Sequence, residues 1–152
     1  MRIAHVYYTH TDLDKAREFL ANFGFTVTDD RGNKVYYKGY GTEPFVYSTT
    51  KGAENEFSGA GFVVKSMADL ELAAKTLPKA TPVHDSDTPS GGKRITFRDP
   101  VDDFPFYLVY RKTPVEKSAY LPELKYNFPE NKYRAPNGKD VSTFLYLDRG
   151  IE

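Results

Sequence analysis

The fold turns on one stretch, Ile3-Ala4-His5-Val6-Tyr7-Tyr8-Thr9-His10-Thr11-Asp12-Leu13-Asp14-Lys15-Ala16-Arg17-Glu18-Phe19-Leu20-Ala21-Asn22-Phe23-Gly24-Phe25. Ile3 to Thr9 is dense in β-branched and aromatic residues and reads as a strand. Thr11-Asp12-Leu13-Asp14 then supplies an acidic helix start, where carboxylates accept free backbone N–H groups and meet the positive end of the helix dipole. Leu13, Ala16, Phe19, Leu20 and Phe23 recur at helical spacing, and Gly24 stands where a C-terminal glycine ends a helix. A strand therefore feeds one amphipathic helix.

Three short β-like runs follow, separated by turn chemistry. They are Phe25 to Thr28, Lys34 to Tyr40 and Phe45 to Thr49, with Asp29-Asp30-Arg31-Gly32-Asn33 and Gly41-Thr42-Glu43-Pro44 between them. After Lys51 to Glu56 the order begins again. Phe57 to Val64 reads as a strand, Met67 to Leu77 as a helix with Leu70, Ala73, Ala74 and Leu77 on one face, and Thr81 to Asp85 as a short strand. Arg94 to Arg98 and Phe104 to Arg111 read as the closing strands. Asp12-Leu13 and Asp69-Leu70 open the two helices at the spacing of a roughly 55-residue repeat. Periodicity alone is compatible both with such a duplication and with an α+β sandwich lacking internal symmetry. Beyond Arg111, Pro114, Pro122, Pro129 and Pro136 interrupt a segment without sustained periodicity, which reads as an extended arm over 112–152.

Composition narrows the function classes. The 152 residues carry 21 basic and 21 acidic side chains, so there is no basic field for nucleic acid. With no cysteine, thiolate nucleophiles, zinc–thiolate sites and iron–sulfur clusters are excluded, and any metal must be held by His, Asp, Glu or Tyr. The 12 tyrosines and 11 phenylalanines supply more burial than a disordered chain carries. No run approaches the roughly 18 apolar residues of a membrane span, and the opening strand lacks the pattern of a signal peptide. A cytoplasmic protein is the expectation.

With the two βαβββ units in view, particular residues carry a resemblance. Ile3-Ala4-His5-Val6, Asp12-Leu13-Asp14-Lys15-Ala16 and Phe19 to Phe25 resemble the opening of vicinal oxygen chelate proteins, the superfamily of glyoxalase I, bleomycin and fosfomycin resistance proteins and extradiol dioxygenases. Tyr37 to Tyr47, Phe57 to Val64, and Asp99-Pro100 with Phe104-Pro105 are similar to the N-terminal domain of two-domain extradiol ring-cleavage dioxygenases. Tyr126 to Arg134 resembles the linker that follows that domain. The resemblance implies an α+β fold of paired βαβββ modules, about 1–52 and 57–111, forming a curved mixed sheet in a domain over 1–111, with 112–152 as arm or linker.

The resemblance also implies where a metal would sit, since ligands in this superfamily project from the first and last strand of each module. Those positions fall near His5, Tyr47, Gly59 and Tyr107, of which only His5 is an ordinary divalent-metal ligand. A ring-cleaving site needs two histidines and a carboxylate with coordination positions left open. The second histidine and the carboxylate are absent, so no complete metal site, no catalytic residue and no cofactor are expected for this chain alone, and Fe(II) is implied only with a C-terminal catalytic domain. The expected function is the silent N-terminal half of an extradiol dioxygenase-like protein, either naturally single or cut short, with activity of this chain alone left open. The alternative is a metal-free, dimeric binding protein of the bleomycin-resistance type that takes a small aromatic molecule. Expected partners are another vicinal oxygen chelate domain or a second copy.

His5, Tyr7, Tyr47 and Tyr107 are the candidate ligand-pocket residues. His5 reads better as a strand histidine hydrogen-bonded inside the cup than as a residual ligand. Tyr47 and Tyr107, taken as symmetry mates facing one concavity, either contact a ligand or fill the space of a metal. His10 reads as a loop residue, and His84 with Asp85 and Asp87 as no metal clip, because neighbouring strand side chains point to opposite faces. Ser90-Gly91-Gly92-Lys93-Arg94 lacks phosphate-loop spacing and reads as a hairpin turn. Asp99, Asp102 and Asp103 read as a solvated turn rather than a calcium site.

Overall fold

The computed structural model describes residues 2–110 and 113–116. Ten elements follow the expected order: β1 Arg2–His10, α1 Leu13–Asn22, β2 Thr26–Asp30, β3 Lys34–Lys38, β4 Tyr47–Lys51, β5 Glu56–Val63, α2 Met67–Thr76, β6 His84–Asp85, β7 Lys93–Arg98 and β8 Pro105–Tyr110. The reading of an arm beyond Arg111 falls, apart from residues 113–116, outside the described residues. Helix starts follow from capping. The Asp12 carboxylate accepts the Asp14 and Lys15 N–H groups at 3.1 Å each, and Ser66 forms a reciprocal capping box with Asp69. Gly24 takes the left-handed conformation (φ 81°) that stops α1.

All eight strands form one curved, open, mixed sheet in the order β2-β3-β4-β1-β5-β8-β7-β6. In each unit the first strand runs parallel to the last, β1 with β4 and β5 with β8, and the units join through the antiparallel β1–β5 pair. His5 pairs with Gly61 and Tyr7 with Gly59. Exchanging the units swaps these two pairs, so the duplication is visible in the register itself.

Both helices pack on one face of the sheet. Leu70 of α2 meets Val64, Ile95 and Leu108, and Leu20 of α1 meets Val35 and Tyr37, with Phe25 and Tyr47 beside them. A third cluster contains no helix residue: Tyr7, Tyr36 and Phe45, flanked by Tyr107. It occupies the opposite, concave face. The sequence places Phe45 in a strand, but β4 begins two residues later. Pro44 precedes Phe45, and the Phe45 ring turns into the concavity and is fully buried there.

The margins of the sheet meet across that concavity. Arg31, in the β2–β3 turn, donates to the Asp87 carbonyl at 2.9 Å, and the Asp87 carboxylate lies 3.1 Å from Arg94 at the other side of the sheet. Beside this bridge, Ser86, Thr88 and Ser90 form a hydroxyl chain with 2.8 Å steps. Thr113 donates to the Ser90 carbonyl and Val115 to the Thr42 carbonyl, each at 3.0 Å, which carries the chain past the end of the sheet.

Candidate functional site

Alternation along β1 sends His5 and Tyr7 to the concave face and Val6, Tyr8 and His10 to the helix face. His5 is 2% exposed. Its ring stacks on Phe45 at 4.3 Å and meets Tyr7 edge-on at 5.1 Å, and its Nε2 lies 3.1 Å from the Tyr7 hydroxyl. Beneath the ring lies Gly61: a Cβ there would stand 2.0 Å from His5 Nε2 and 2.5 Å from Cε1. Glycine at 61 is thus a seat for the imidazole. Gly59 serves Tyr107 in a similar way, since a Cβ at 59 would come within 3.1 Å of that ring and 2.1 Å of the Pro105 carbonyl oxygen.

Tyr107 joins the cluster at 4.9 Å from Tyr7. Cations cover its open side: Lys34 Nζ lies 5.3 and 5.2 Å from the Tyr7 and Tyr36 ring centres, and the Arg31 and Arg94 guanidiniums lie over Tyr36 and Tyr107 at 5.1 and 5.4 Å. Burial pushes the Tyr7 phenol far above its ordinary range, against the lowering effect of Arg94. Burial also raises Tyr36 and Tyr107 and lowers Lys34. Neutral phenols therefore line this face. The Tyr36 and Ser48 hydroxyls are buried without a hydrogen-bond partner among the described residues.

Tyr47 is placed differently from the other three candidates. Its register partner on β1 is Val6, so it faces the helices. Since Ala60 pairs with Phe106 and Gly61 with Tyr107, the mate of Tyr47 is Phe106 and the mate of Tyr107 is Ser48. The expectation that Tyr47 and Tyr107 share one concavity is corrected by that one-residue difference, which reverses the face of a strand residue. His5, Tyr7 and Tyr107 are brought together; Tyr47 is not.

Tyr47 instead stacks on Tyr8 at 5.2 Å with planes 4° apart, and its hydroxyl lies 3.2 Å from His10 Nε2. Burial raises the Tyr47 pKa to about 12 and lowers that of His10, partly offset by a hydrogen bond with Asn55. Tyr47, His10 and Asn55 border a cavity of about 490 Å³ under α1. His84 lines neither place: its Nδ1 is 3.0 Å from the Pro82 carbonyl oxygen, and Arg94 Nε donates to its Nε2 at 3.2 Å. Asp85 and Asp87 pair with Lys93 and Arg94. Asp99 accepts the Val101 and Asp102 N–H groups, an ordinary turn. Gly91 and Gly92, at φ 59° and 83°, form the expected turn before β7.

Two βαβββ units joined edge to edge around a concave face agree with the family comparison, in which the model of the Glyoxalase/Bleomycin resistance protein/Dioxygenase superfamily matches residues 2–106. The chain belongs to this superfamily. Among solved structures of the superfamily fold, the Mn(II)-bound glyoxalase of Novosphingobium aromaticivorans superposes with a TM-score of 0.71 and 23% identity, covering 80% of this chain and 42% of that one. Homoprotocatechuate 2,3-dioxygenase of Brevibacterium fuscum, in complex with 3,4-dihydroxyphenylacetate, gives 0.70 and 23%, covering 77% and 38%. This chain spans less than half the length of either. No curated protein sequence matches it.

The residues present do not fit a divalent metal such as the Mn(II) of that glyoxalase. His5 is enclosed by Phe45, Tyr7 and Gly61, the position related to it by symmetry is Gly59, and Tyr107 offers a neutral phenol. Among the described residues no three His, Cys, Asp or Glu side chains come together. No described helix is long and apolar enough to cross a membrane. Sequence reasoning misses Phe45, Tyr36, Lys34 and the Arg31–Asp87–Arg94 bridge. The alternation within Val35-Tyr36-Tyr37 holds a signal for Tyr36, but the cross-sheet bridge has none.

Proposed function

We propose that this unit is the catalytically silent partner in an extradiol dioxygenase-like protein, corresponding to the N-terminal domain of two-domain ring-cleaving enzymes, and that its contribution is structural. One observation carries the reading. The concave face, where the superfamily builds its metal sites, is packed as a core, with His5 seated on Gly61 against Phe45 and Tyr107 lying over Gly59. A side chain with neighbours on every side is poorly placed to bind a metal and leave positions open for substrate and oxygen. The same packing counts against an aromatic ligand in the cup of a single chain. The partner of such a unit is another vicinal oxygen chelate domain, in the same polypeptide or in a second copy.

The test is direct. The purified chain is titrated with Fe(II) and Mn(II) and then supplied with 3,4-dihydroxyphenylacetate under air. Neither stoichiometric metal binding nor ring cleavage is expected. One equivalent of metal, lost on His5→Ala and accompanied by ring-cleaved product, would overturn the proposal.

A further inference from the structure

The cavity under α1 is built differently from the filled cup and lies on the other face of the sheet. At about 490 Å³ it falls in the size range of small-molecule sites. Ala16, Phe19 and Leu20 form its apolar wall, and Tyr47, His10 and Asn55 bring polar groups to its floor. Those groups converge on one cavity, with the Tyr47 hydroxyl 3.2 Å from His10 Nε2 and Asn55 lining the same floor. They are also held in place. Tyr47 is stacked on Tyr8 and braced edge-on by Phe25 and Tyr37, while Asn55 Oδ1 accepts the Thr11 N–H at 2.9 Å. Fixed polar groups beside an apolar wall are the ordinary anatomy of a ligand site.

Two further features define the ligand. Phe19 is 61% exposed beside the cavity and touches the equally exposed Phe23 at 4.8 Å, apolar surface that a flat ligand would cover. The charged groups at the rim, Asp12 and Lys15, lie 3.7 Å apart and offset each other, and burial disfavours the charged form of His10. The side chains that line the cavity therefore carry no net charge, and the Lys51 ammonium beside them is taken up by the Thr11 carbonyl oxygen.

We propose that this cavity binds a neutral, planar aromatic molecule bearing a hydroxyl group, its ring lying between Phe19 and Tyr47 and its hydroxyl bonded to the His10–Tyr47 pair. The site is independent of the structural role proposed above, and metal or turnover assays do not bear on it.

Phenol is the probe, followed by NMR of the isotope-labelled chain. Saturable shifts are expected in α1, at the end of β1 and at Asn55. Phe19→Ser, at an exposed position that does not threaten folding, is expected to weaken binding at least fivefold, and Tyr47→Phe by a similar factor. Ala16→Leu, which fills the cavity and spares the polar groups, is expected to abolish it. Leu72→Ser, 62% exposed on α2, serves as the control and leaves affinity unchanged. Absence of saturation, shifts confined to Tyr7, Tyr36 and Tyr107, or affinity indifferent to both Phe19→Ser and Ala16→Leu would each overturn the proposal.

Discussion

Gly61→Ala tests whether the cup is a packed core. The new methyl carbon would stand 2.0, 2.5 and 2.6 Å from three atoms of the His5 ring, whereas ordinary contact begins near 3.4 Å. The ring must therefore shift by well over an ångström. It has nowhere to go, because Phe45 stacks on it at 4.3 Å and Tyr7 stands edge-on at 5.1 Å. Overpacking of this kind costs about 1–3 kcal/mol, and losing the hydrogen bond to the Tyr7 hydroxyl adds roughly 1 kcal/mol. The expected total is about 3 kcal/mol, or a fall in melting temperature of roughly 10 °C for a domain of this size. His5→Ala alone leaves a cavity and costs about 2–3 kcal/mol. In the double variant the alanine at 61 meets only the vacated space, so the two losses should fall short of additivity by at least ~1 kcal/mol. Thermal and urea denaturation of the four proteins completes the cycle. Strictly additive losses, or a Gly61→Ala protein as stable as the parent, would refute the seat that Gly61 gives His5.

Three further outcomes follow from the same structure. Tyr36→Phe removes a buried hydroxyl that has no partner among the described residues and should raise stability by roughly 1 kcal/mol; a loss measured by urea denaturation would contradict the packing. Ser66→Ala breaks the capping box of α2 and should cost about 1 kcal/mol, read as a drop in melting temperature of roughly 4 °C. Tyr7, Tyr36, Tyr47 and Tyr107 all have phenol pKa values raised by burial from the ordinary 10.0. A raised acid favours its neutral form in the folded state, so the stabilisation is fully present below pH 10 and is lost as pH climbs toward about 12, where Tyr47 titrates. Phenolate absorbance should thus rise in two stages, the second together with unfolding by circular dichroism; a single stage complete near pH 10 with the fold intact would count against it.

The fold is legible in the sequence because its signals are local. Apolar spacing in Leu13 to Phe23, the Asp12 cap and the glycines after α1 and before β7 each depend on a few neighbouring residues, and the duplication repeats them. Facing is legible only in part. Counting along the repeat makes Tyr47 the mate of Tyr107, yet the registers make Phe106 the mate of Tyr47. Phe45 likewise has the composition of a strand residue but leaves the ladder to stack on His5. Which of two nearby aromatic residues begins a strand depends on the cavity waiting for the other, and that cavity is formed by β1 and β5, distant in sequence. For the same reason His10 reads as a loop residue, although it ends β1 and is held by Tyr47. The Arg31–Asp87–Arg94 bridge joins opposite margins of the sheet, so no local pattern announces it.

The departure from a metal site extends beyond missing side chains into the backbone, and a last experiment turns on that difference. If only side chains were absent, Gly59→His with Tyr107→Glu would restore a second histidine and a carboxylate beside His5. But Gly59 sits at φ +117°, a conformation that costs other residues of order 1–3 kcal/mol. A Cβ there also meets the Pro105 carbonyl oxygen at 2.1 Å, a backbone atom that can yield only if β8 moves. The histidine would displace the strand meant to present the carboxylate. The carboxylate introduced by Tyr107→Glu would itself place a charge among Tyr7, Tyr36 and Phe45, where the cations acting on position 107 are Arg94 and Arg98 and not a metal. The double variant is accordingly expected to melt well below the parent and to show no gain in Mn(II) affinity by calorimetry. Stoichiometric Mn(II) binding at unchanged stability would mean that β5 and β8 still have the geometry of a metal site, and that the cup is filled only because nothing else occupies it.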